Sequence, residues 1–597
     1  MRLMRMSGGM RRVVTVLIAG AALSACATPS LPLVPASQPA SSPAVPGPVR
    51  EVVIGVDRLA GGFNPHTLAD LTPLSTAVAG LLLPSAFHQR PDGQWVLDDT
   101  LLTSAEVTDT APFTVTYRIR HDAQWSDTAP IAAEDFGYLA EQLRTQPGVV
   151  DSAGYQLIDQ VGSRDGGKTV EVVFRRPYAG WRTLFRHLMP AHLLKDAPGG
   201  WPEALDSGLG VSGGPFALVS LDPARGELVL GRNDRYWATP AKVDRIRFRE
   251  GSDAALVTAL RTGAAQGALF GYPDAITELL LHEADPHQAG EPGPPPTTPA
   301  RIMIVPQPIL TSVLLRPASQ VLGDQRVRTA VAAALDRPSL IATGAASGPS
   351  AALRADSQVL APAQPGYRRT APAAGPPVQP DPASVHHLLT AAGYTRAPAG
   401  WQRAGQPLKL VVAAPADREP YGVLAARVVE QLRSAGIGAT LRLVEPDTLF
   451  GTLLGLRKRS ESGQPGQAAA QRGSLEPAGT ADIVVLPQPA AGHPGTQLAS
   501  WYGCPLVVPA RLTPAPPNLA GLCDLSLQPL IEQALTADNP AGTVAPALEA
   551  MLWQRAVTVP LYQQASLLVT TGQLQGVVPG STLEGPFDGA ERWRLLR

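Results

Sequence analysis

Gly210-Val-Ser212-Gly-Gly214 has the spacing of a hydrolase nucleophile elbow. That motif works because its serine sits on a sharp turn between a strand and a helix, which lifts the hydroxyl toward a base. Here Pro215 and the strand-like run Phe216-Ala-Leu-Val-Ser-Leu221 follow, so the helix is missing. The overlapping Gly208-Leu-Gly210-Val-Ser-Gly213 imitates a dinucleotide fingerprint and lacks the same helix. Gly162-Ser-Arg-Asp-Gly-Gly167-Lys168-Thr169 spells a phosphate loop, in which backbone N–H groups and a helix dipole would have to meet the phosphate. The strand Val170-Glu-Val-Val-Phe174 comes next instead, and Asp165-Gly166 reads as a hairpin turn.

Other chemistry-bearing residues do not assemble. His187 and His192 are five apart and fall on different helix faces, while the adjacent His386 and His387 diverge, so neither pair has metal-ligand spacing. Asp98-Asp99 and Glu134-Asp135 read as solvated loop and helix-start carboxylates. The expectation is a protein that is not an enzyme, with no catalytic residues, no cofactor and no metal.

Cys26 offers a different chemistry. Arg2, Arg5, Arg11 and Arg12 make a basic start, and the apolar run Val13 to Leu23 that follows is short for a membrane span. Leu23-Ser24-Ala25-Cys26 looks like a lipobox, whose cysteine is acylated and becomes the first residue after cleavage. The alternative is an ordinary signal peptide with a chance cysteine. Residues 1–25 are thus the expected signal peptide. Residues 26–50 are a Pro/Ser-rich tether with too little apolar bulk to fold. One acyl chain anchors only marginally, so stable retention needs a multiply acylated Cys26.

The elements that must carry any site come after the tether. They are too long for one core, so two or three lobes are expected. A formal net charge of −1 with 17% charged residues and no basic stripe argues against a nucleic-acid partner. The other two cysteines, Cys504 and Cys523, either pair or stay as free buried thiols. Outside the cell membrane pairing is favoured, and such a bridge contributes about 3 kcal/mol in the chain-entropy model.

Glu51–Asp57 and Thr114–Arg120 read as strands and Ala132–Arg144 as a helix. Tyr155–Val161 with Thr169–Phe174, and Pro215–Leu221 with Glu227–Leu230, read as hairpins. Helices are expected at 326–335, 338–343, 385–392 and 424–435, with strands at 408–413, 439–444 and 483–486. That β-α-β series points to a sheet with helices on its faces. Residues 361–382 and 457–480 look like low-complexity insertions.

Several blocks, in order, resemble the family 5 extracellular solute-binding proteins, receptors of oligopeptide and dipeptide ABC importers. They are Thr116 to Phe136, with Trp125, Pro130, Glu134 and Asp135; Val211-Ser-Gly-Gly-Pro-Phe216; and Arg232-Asn-Asp-Arg-Tyr236-Trp237. Gln325 to Arg337, Ala391-Ala-Gly-Tyr394 and Leu432 to Ile437 complete them. Phe63-Asn-Pro-His66, Leu83 to Phe87, Thr145 to Asp151 and Ser500-Trp-Tyr-Gly-Cys504 look more narrowly like the LpqW-type lipoproteins of mycolic-acid bacteria. That group is associated with control of phosphatidylinositol mannoside and lipoarabinomannan synthesis. Ala123 and Thr128 depart from the importers' signature.

The resemblance implies an α/β, two-lobed periplasmic-binding-protein fold (type II, cluster C) with an extra subdomain. Lobe I would take 51–85, 211–308 and 566–597, the subdomain 86–210, and lobe II 309–565. It implies an extracytoplasmic, lipid-anchored monomer that binds a peptide or other amphipathic small ligand between its lobes. The partner would be an ABC permease or a membrane mannosyltransferase. Loops after strand carboxyl ends face the crevice in such sheets, which nominates Gly62, Phe63, Asn64, Gln488, His493, Trp501 and Tyr502 as ligand contacts. Trp125 and Trp237 are expected to be structural.

Overall fold

Short apolar runs, each too buried to tolerate an unpaired backbone, line up as a ten-stranded sheet. In the computed structural model the described residues are 49–596 except 60, 198–199, 204, 207, 284–299, 455–480 and 506–517. The strands are β1 (Glu51–Val56), β2 (Phe216–Asp222), β3 (Glu227–Arg232), β4 (Arg245–Glu250) and β5 (Gly267–Phe270), then β6 (Arg301–Leu315), β7 (Lys409–Pro415), β8 (Gly438–Val444), β9 (Ile483–Pro489) and β10 (Thr558–Thr570). Their order across the sheet is β8-β7-β9-β6-β10-β5-β1-β4-β3-β2.

Parallel pairs occur at both ends of the sheet: β1 with β4 and β5, and β7 with β8 and β9. The β7–β8 crossover is the helix Tyr421–Ser434, which buries Leu424, Ala425, Val428 and Leu432 on one face. Gly436, at φ +77°, turns the chain out of that helix into β8, a conformation that favours glycine.

The long strands β6 and β10 pair antiparallel and connect the two ends. The first part of β6 meets only β10, while residues 309–315 also meet β9; β5 adds to β10 at residues 567–570. The register slips between Pro306 and Leu310, where Pro306 and Pro308 supply no N–H to the ladder.

The subdomain is a four-stranded antiparallel sheet ordered Leu102–Thr110, Phe113–Ile119, Thr169–Phe174 and Ile158–Arg164, backed by the helix Ala133–Thr145. Its aromatic centre, Tyr117, Phe136 and Phe185, has ring centroids 4.8 to 5.7 Å apart. That centre is continuous with the apolar core under β1 and β4, so subdomain and lobe I share one core. Lobe II has two, one on either face of its part of the sheet.

Four expectations change. The chain at Tyr155 is a short helix, Ala153–Gln156, rather than strand, because Tyr155 turns inward and its hydroxyl accepts the Phe185 N–H at 2.8 Å. Asp135 is not a solvated helix-start group: it is buried and accepts from Ala132 N, Ala191 N and Trp125 Nε1. Asp98 is buried too, against His88. The stretch 361–382 packs through Tyr367, whose hydroxyl donates to Arg354 O and accepts from Asp356 N. The second insertion, 457–480, lies outside the described residues.

His88 ties the carboxyl-terminal segment to the subdomain. Its Nε2 and Nδ1 meet Asp98 and Glu584, each at 3.0 Å. Burial alone would lower this imidazole, but the two carboxylates outweigh it and hold it at about 10. Burial would raise Glu584, yet the Arg186 charge and the His88 hydrogen bond bring it down to about 2. With a raised folded-state value, the histidine's contribution is whole below its ordinary 6.5 and lost as pH climbs to about 10. The Glu584 contribution is whole above its ordinary 4.5 and lost as pH falls to about 2. His88→Gln is therefore expected to flatten the decline of Tm between pH 6.5 and 10, a change read by calorimetry across that range.

Arg337 is fully buried and donates to Pro560 O of β10, to Ala355 O and to the Asp356 carboxylate at 2.7 Å. Arg337→Ala strands a buried charge, and a loss of about 3–5 kcal/mol in denaturant unfolding is expected.

Candidate functional site

Two motifs with enzyme-like spelling are structurally committed. The Ser212 hydroxyl donates to Leu82 O and accepts from Gly214 N, inside a buried turn. Lys168 spends its ammonium on Ala123 O and Ile131 O, both at 2.9 Å, and its glycines form the hairpin turn. Trp125 and Trp237 are held by Asp135 and by Thr100 O. Among the described residues no cluster of three His, Cys, Asp or Glu side chains could hold a metal ion.

The region between the subdomain and lobe II has another character. Tyr178 OH and Thr496 Oγ1 lie 2.6 Å apart, Ala153 N donates to Ser500 Oγ at 3.1 Å, and Arg176 pairs with Glu532 at 3.5 Å. Further along, Arg418 donates to Leu68 O at 3.1 Å and to Ala69 O. These bonds draw two walls together around the helix Pro494–Tyr502.

Two small cavities lie beside that helix, the first lined wholly by lobe II residues and the second where the subdomain meets lobe II, and Trp501 and Pro489 line both. One, of 20 Å³, is lined by Gln358, Gln488, Gln497 and Tyr502; the other, of 40 Å³, by Gln146, Asp151, Gln156, Ser500 and Asn518. Each has room for about one water.

Of the nominated contacts, Gln488, Trp501 and Tyr502 come together around the first cavity. Gln488 Oε1 accepts from Ser312 Oγ at 2.8 Å, and Tyr502 OH bonds Gln358 Oε1 and Thr558 Oγ1. His493 stands one turn away, with its Nδ1 accepting the Thr496 N–H as the helix cap. Its ring packs edge-on to Tyr178, and burial lowers it to about 4.

Gly62, Phe63 and Asn64 do not join that group. Phe63 is part of the lobe I core under the helix Pro73–Leu82. Gly62 packs directly on the Asp70 carboxylate, which leaves no space for a side chain. Asn64 is fully buried, with its N–H on Asp70 Oδ2 and its amide on Trp201 O. Cys504 and Cys523 form a disulfide at the rim of the second cavity. Cys26 lies outside the described residues.

Asp151 and Gln497 had no individual signal in the sequence. Asp151 sits at φ +49°, a left-handed position rarely held by a non-glycine residue. Its Oδ1 is buried without a partner, as are Gln497 Nε2 and His493 Nε2. Burial pushes the Asp151 carboxyl up to about 7, although Arg186 pulls the other way. Asp57 and Asp70, in lobe I, are likewise pushed up to about 6 by burial.

Residues 99–504 match the family described as bacterial extracellular solute-binding proteins, family 5 Middle. The chain belongs to that family. It is 35% identical to the probable monoacyl phosphatidylinositol tetramannoside-binding protein LpqW of Mycobacterium tuberculosis, over 97% of this chain and 96% of that one. It is 28% identical to the oligopeptide-binding protein OppA of Mycobacterium bovis, over 55% of this chain and 53% of that one. Among solved structures, AppA of Bacillus subtilis, in complex with a nonapeptide, superposes with a TM-score of 0.68 at 14% identity, covering 92% of this chain and 99% of that one. The periplasmic EDTA-binding protein EppA gives 0.66 at 22%, covering 92% and 97%. The fold is thus the two-lobed periplasmic-binding-protein type II architecture, and this solute-binding protein works by holding a ligand.

The Asp151 shift gives a prediction for this member. A carboxyl raised from 3.8 to about 7 in the folded state contributes stability that is whole below 3.8 and lost as pH rises through about 7. Asp151→Asn should therefore gain in Tm over the wild type as pH rises across that window, then level off. A pH-independent difference in paired thermal melts would contradict this.

Proposed function

We propose that this protein is a lipid-anchored receptor on the extracytoplasmic face of the cell membrane. It holds the headgroup of an amphipathic glycolipid between its lobes and signals its occupancy to a membrane protein such as a mannosyltransferase. The observation that carries this reading is end-to-end likeness to a protein named for binding a monoacyl phosphatidylinositol tetramannoside, against likeness over about half the chain to the oligopeptide-binding relative. The cavity walls support it: their polar side chains are carboxamides and hydroxyls, with Asp151 the one acidic group and no lysine or arginine to pair with a peptide carboxylate.

The lobes in this reading are 51–85 with 211–308 and 566–597, and 309–565, with 86–210 as the subdomain. The break between them falls in β6 and β10, which would serve as hinge strands for closure. Acylated Cys26 and the tether at 26–50 keep the clamp beside the membrane. An extended Pro-rich segment covers about 3.1 Å per residue, so the tether lets the lobes reach well past the headgroup layer.

A second reading is an ABC-importer receptor for peptides, favoured by the OppA relatives and by the shared fold. Thermal melts of the detergent-solubilised full chain separate the two. Intact monoacyl phosphatidylinositol tetramannoside is expected to raise Tm, with about 2.7 kcal/mol gained at a hundredfold excess over Kd. A nonapeptide is expected to do nothing. The reverse pattern would hand the protein to the importer reading.

A further inference from the structure

We infer that lobe II carries a binding site of its own, apart from the cavities beside Trp501, for a small amphipathic carboxylate: one acid group on an apolar body. The site is a groove of 480 Å³ between the helices Pro382–Ala391 and Tyr421–Ser434, with the hairpin of Thr395–Ala397 and Gly400–Arg403 as a further wall. This inference is independent of the glycolipid reading.

The groove has the size of a small-molecule pocket, about 300–1,000 Å³. It shares no lining residue with either cavity beside Trp501. Ala333, Val385 and Trp401 line it and belong to the core on one face of the lobe II sheet, while Trp501 and Tyr502 belong to the core on the other. Those three residues are each at most 4% exposed, and Pro380 and Pro382 border them. The base of the groove is therefore apolar, and it gains by covering itself with a hydrocarbon chain or an aromatic ring.

The polar lining sets the headgroup. Arg396 and Arg427 stand against Glu430 alone, which leaves a single positive charge. Arg427 is committed, with Nη1 on Glu430 Oε2 at 2.5 Å and Nη2 on Ser339 Oγ at 3.2 Å. Gln431 bonds the Asp336 backbone at both ends of its amide. Trp401 Nε1 donates to Ala435 O, and the Ser434 hydroxyl to Glu430 O. Arg396 is what remains. Its Nη1 donates to Ala435 O at 2.7 Å and its guanidinium carbon stands 5.5 Å from the Trp401 ring centre, which holds the fork in place. Among the described residues no carboxylate pairs with it, and such a fork matches both oxygens of a carboxylate. His386 packs against the same indole at 5.4 Å and brings a ring N–H donor to the groove from the opposite helix.

Other headgroups fit less well. A phosphate monoester carries close to two negative charges, and the second would face Glu430 without a cation. An amine would meet the Arg396 charge, and Glu430 is already held by Arg427. A sugar would lay hydroxyls on the apolar base, where the remaining polar groups are taken and its lost hydration is not replaced.

The test titrates the full chain in nonionic detergent by calorimetry with 4-phenylbutyrate, its uncharged amide, 4-phenylbutyl phosphate, and a pentapeptide ending in phenylalanine. The acid is expected to bind, more weakly as salt is added, and the amide and the phosphate about tenfold less tightly. Arg396→Gln should weaken the acid by about tenfold and leave the amide as it was. Ser434→Trp, which fills the groove from an exposed position at the end of its helix, should abolish binding of the acid. Each variant is first checked for a native melting transition. If Arg396→Gln does not fold for want of its bond to Ala435 O, Ser434→Trp carries the test. No binding of the acid, equal binding of acid and amide, tighter binding of the phosphate, or wild-type affinity in the folded variants overturns the inference. A pentapeptide that binds more tightly than the acid assigns the groove to the end of a polypeptide and overturns it as well.

Discussion

The β6–β10 pair is the constraint on which the molecule is built. All thirteen residues of β10 are buried, although the strand runs past two separate sets of neighbours. A strand common to both lobes must satisfy both cores at once, and its polar residues show how. Gln564 Nε2 donates to Thr311 Oγ1 and to Tyr421 OH at the head of the lobe II crossover helix. Ser566 Oγ donates to Gly271 O, just past β5 in lobe I. Gln563 reaches across to Gln307 O and accepts from Ala363 N. Each of these bonds lies in a low-dielectric interior, where an unmade partner is expensive. The pair therefore fixes where each wall of the cleft starts, and the register slip beside Pro306 and Pro308 is where its ladder is least continuous.

From that frame follows the electrical character of the cleft. Asp57, Asp70 and Asp151 are packed among neighbours that exclude water, and burial disfavours the ionised form of all three. Charges elsewhere are paired, as in the His88–Glu584 clasp and the Arg337–Asp356 pair. The polar groups that face the cavities are mostly amide and hydroxyl, which discriminate by direction rather than by charge. Selectivity of that kind depends on position, which explains why the helix Pro494–Tyr502 is held at its start by His493 and along its length by Tyr178 and Ala153.

Much of the fold was legible in the chain because periodicity and turn chemistry are local. The β7–helix–β8 unit, the hairpin at Asp165-Gly166 and the strand after Ser212 all follow from runs of a few residues. The site was legible only in part. Gln488, Trp501 and Tyr502 come near the end of a buried parallel strand, where loops face a crevice, and the structure brings them together. The same rule nominated Gly62 to Asn64, but that turn closes on Asp70 and on the lobe I core. Whether a loop turns outward or folds under a helix depends on partners such as Trp201, which are distant in sequence. Asp135 and Asp98 looked solvated for the same reason: Ala191 and His88 become their partners only after folding. Asp151 and Gln497 are far apart in sequence, and no local pattern records that both border Gly492.

A neutral cleft also fits a neutral molecule. With a formal net charge of −1, the protein has little long-range field to steer a charged ligand toward it or to hold it against a charged surface. In the proposed reading, encounter would come from proximity: a tether fixed at one end would raise the effective concentration of the clamp near the membrane without any new contact, and its length would set how far that advantage extends. Recognition through amides and hydroxyls keeps its strength as ionic strength changes, because screening acts on charges and leaves buried neutral hydrogen bonds alone. In the proposed lipid-anchored receptor two roles would then be separate: the tether would supply the encounter, and the polar groups beside the helix Pro494–Tyr502 the choice of ligand.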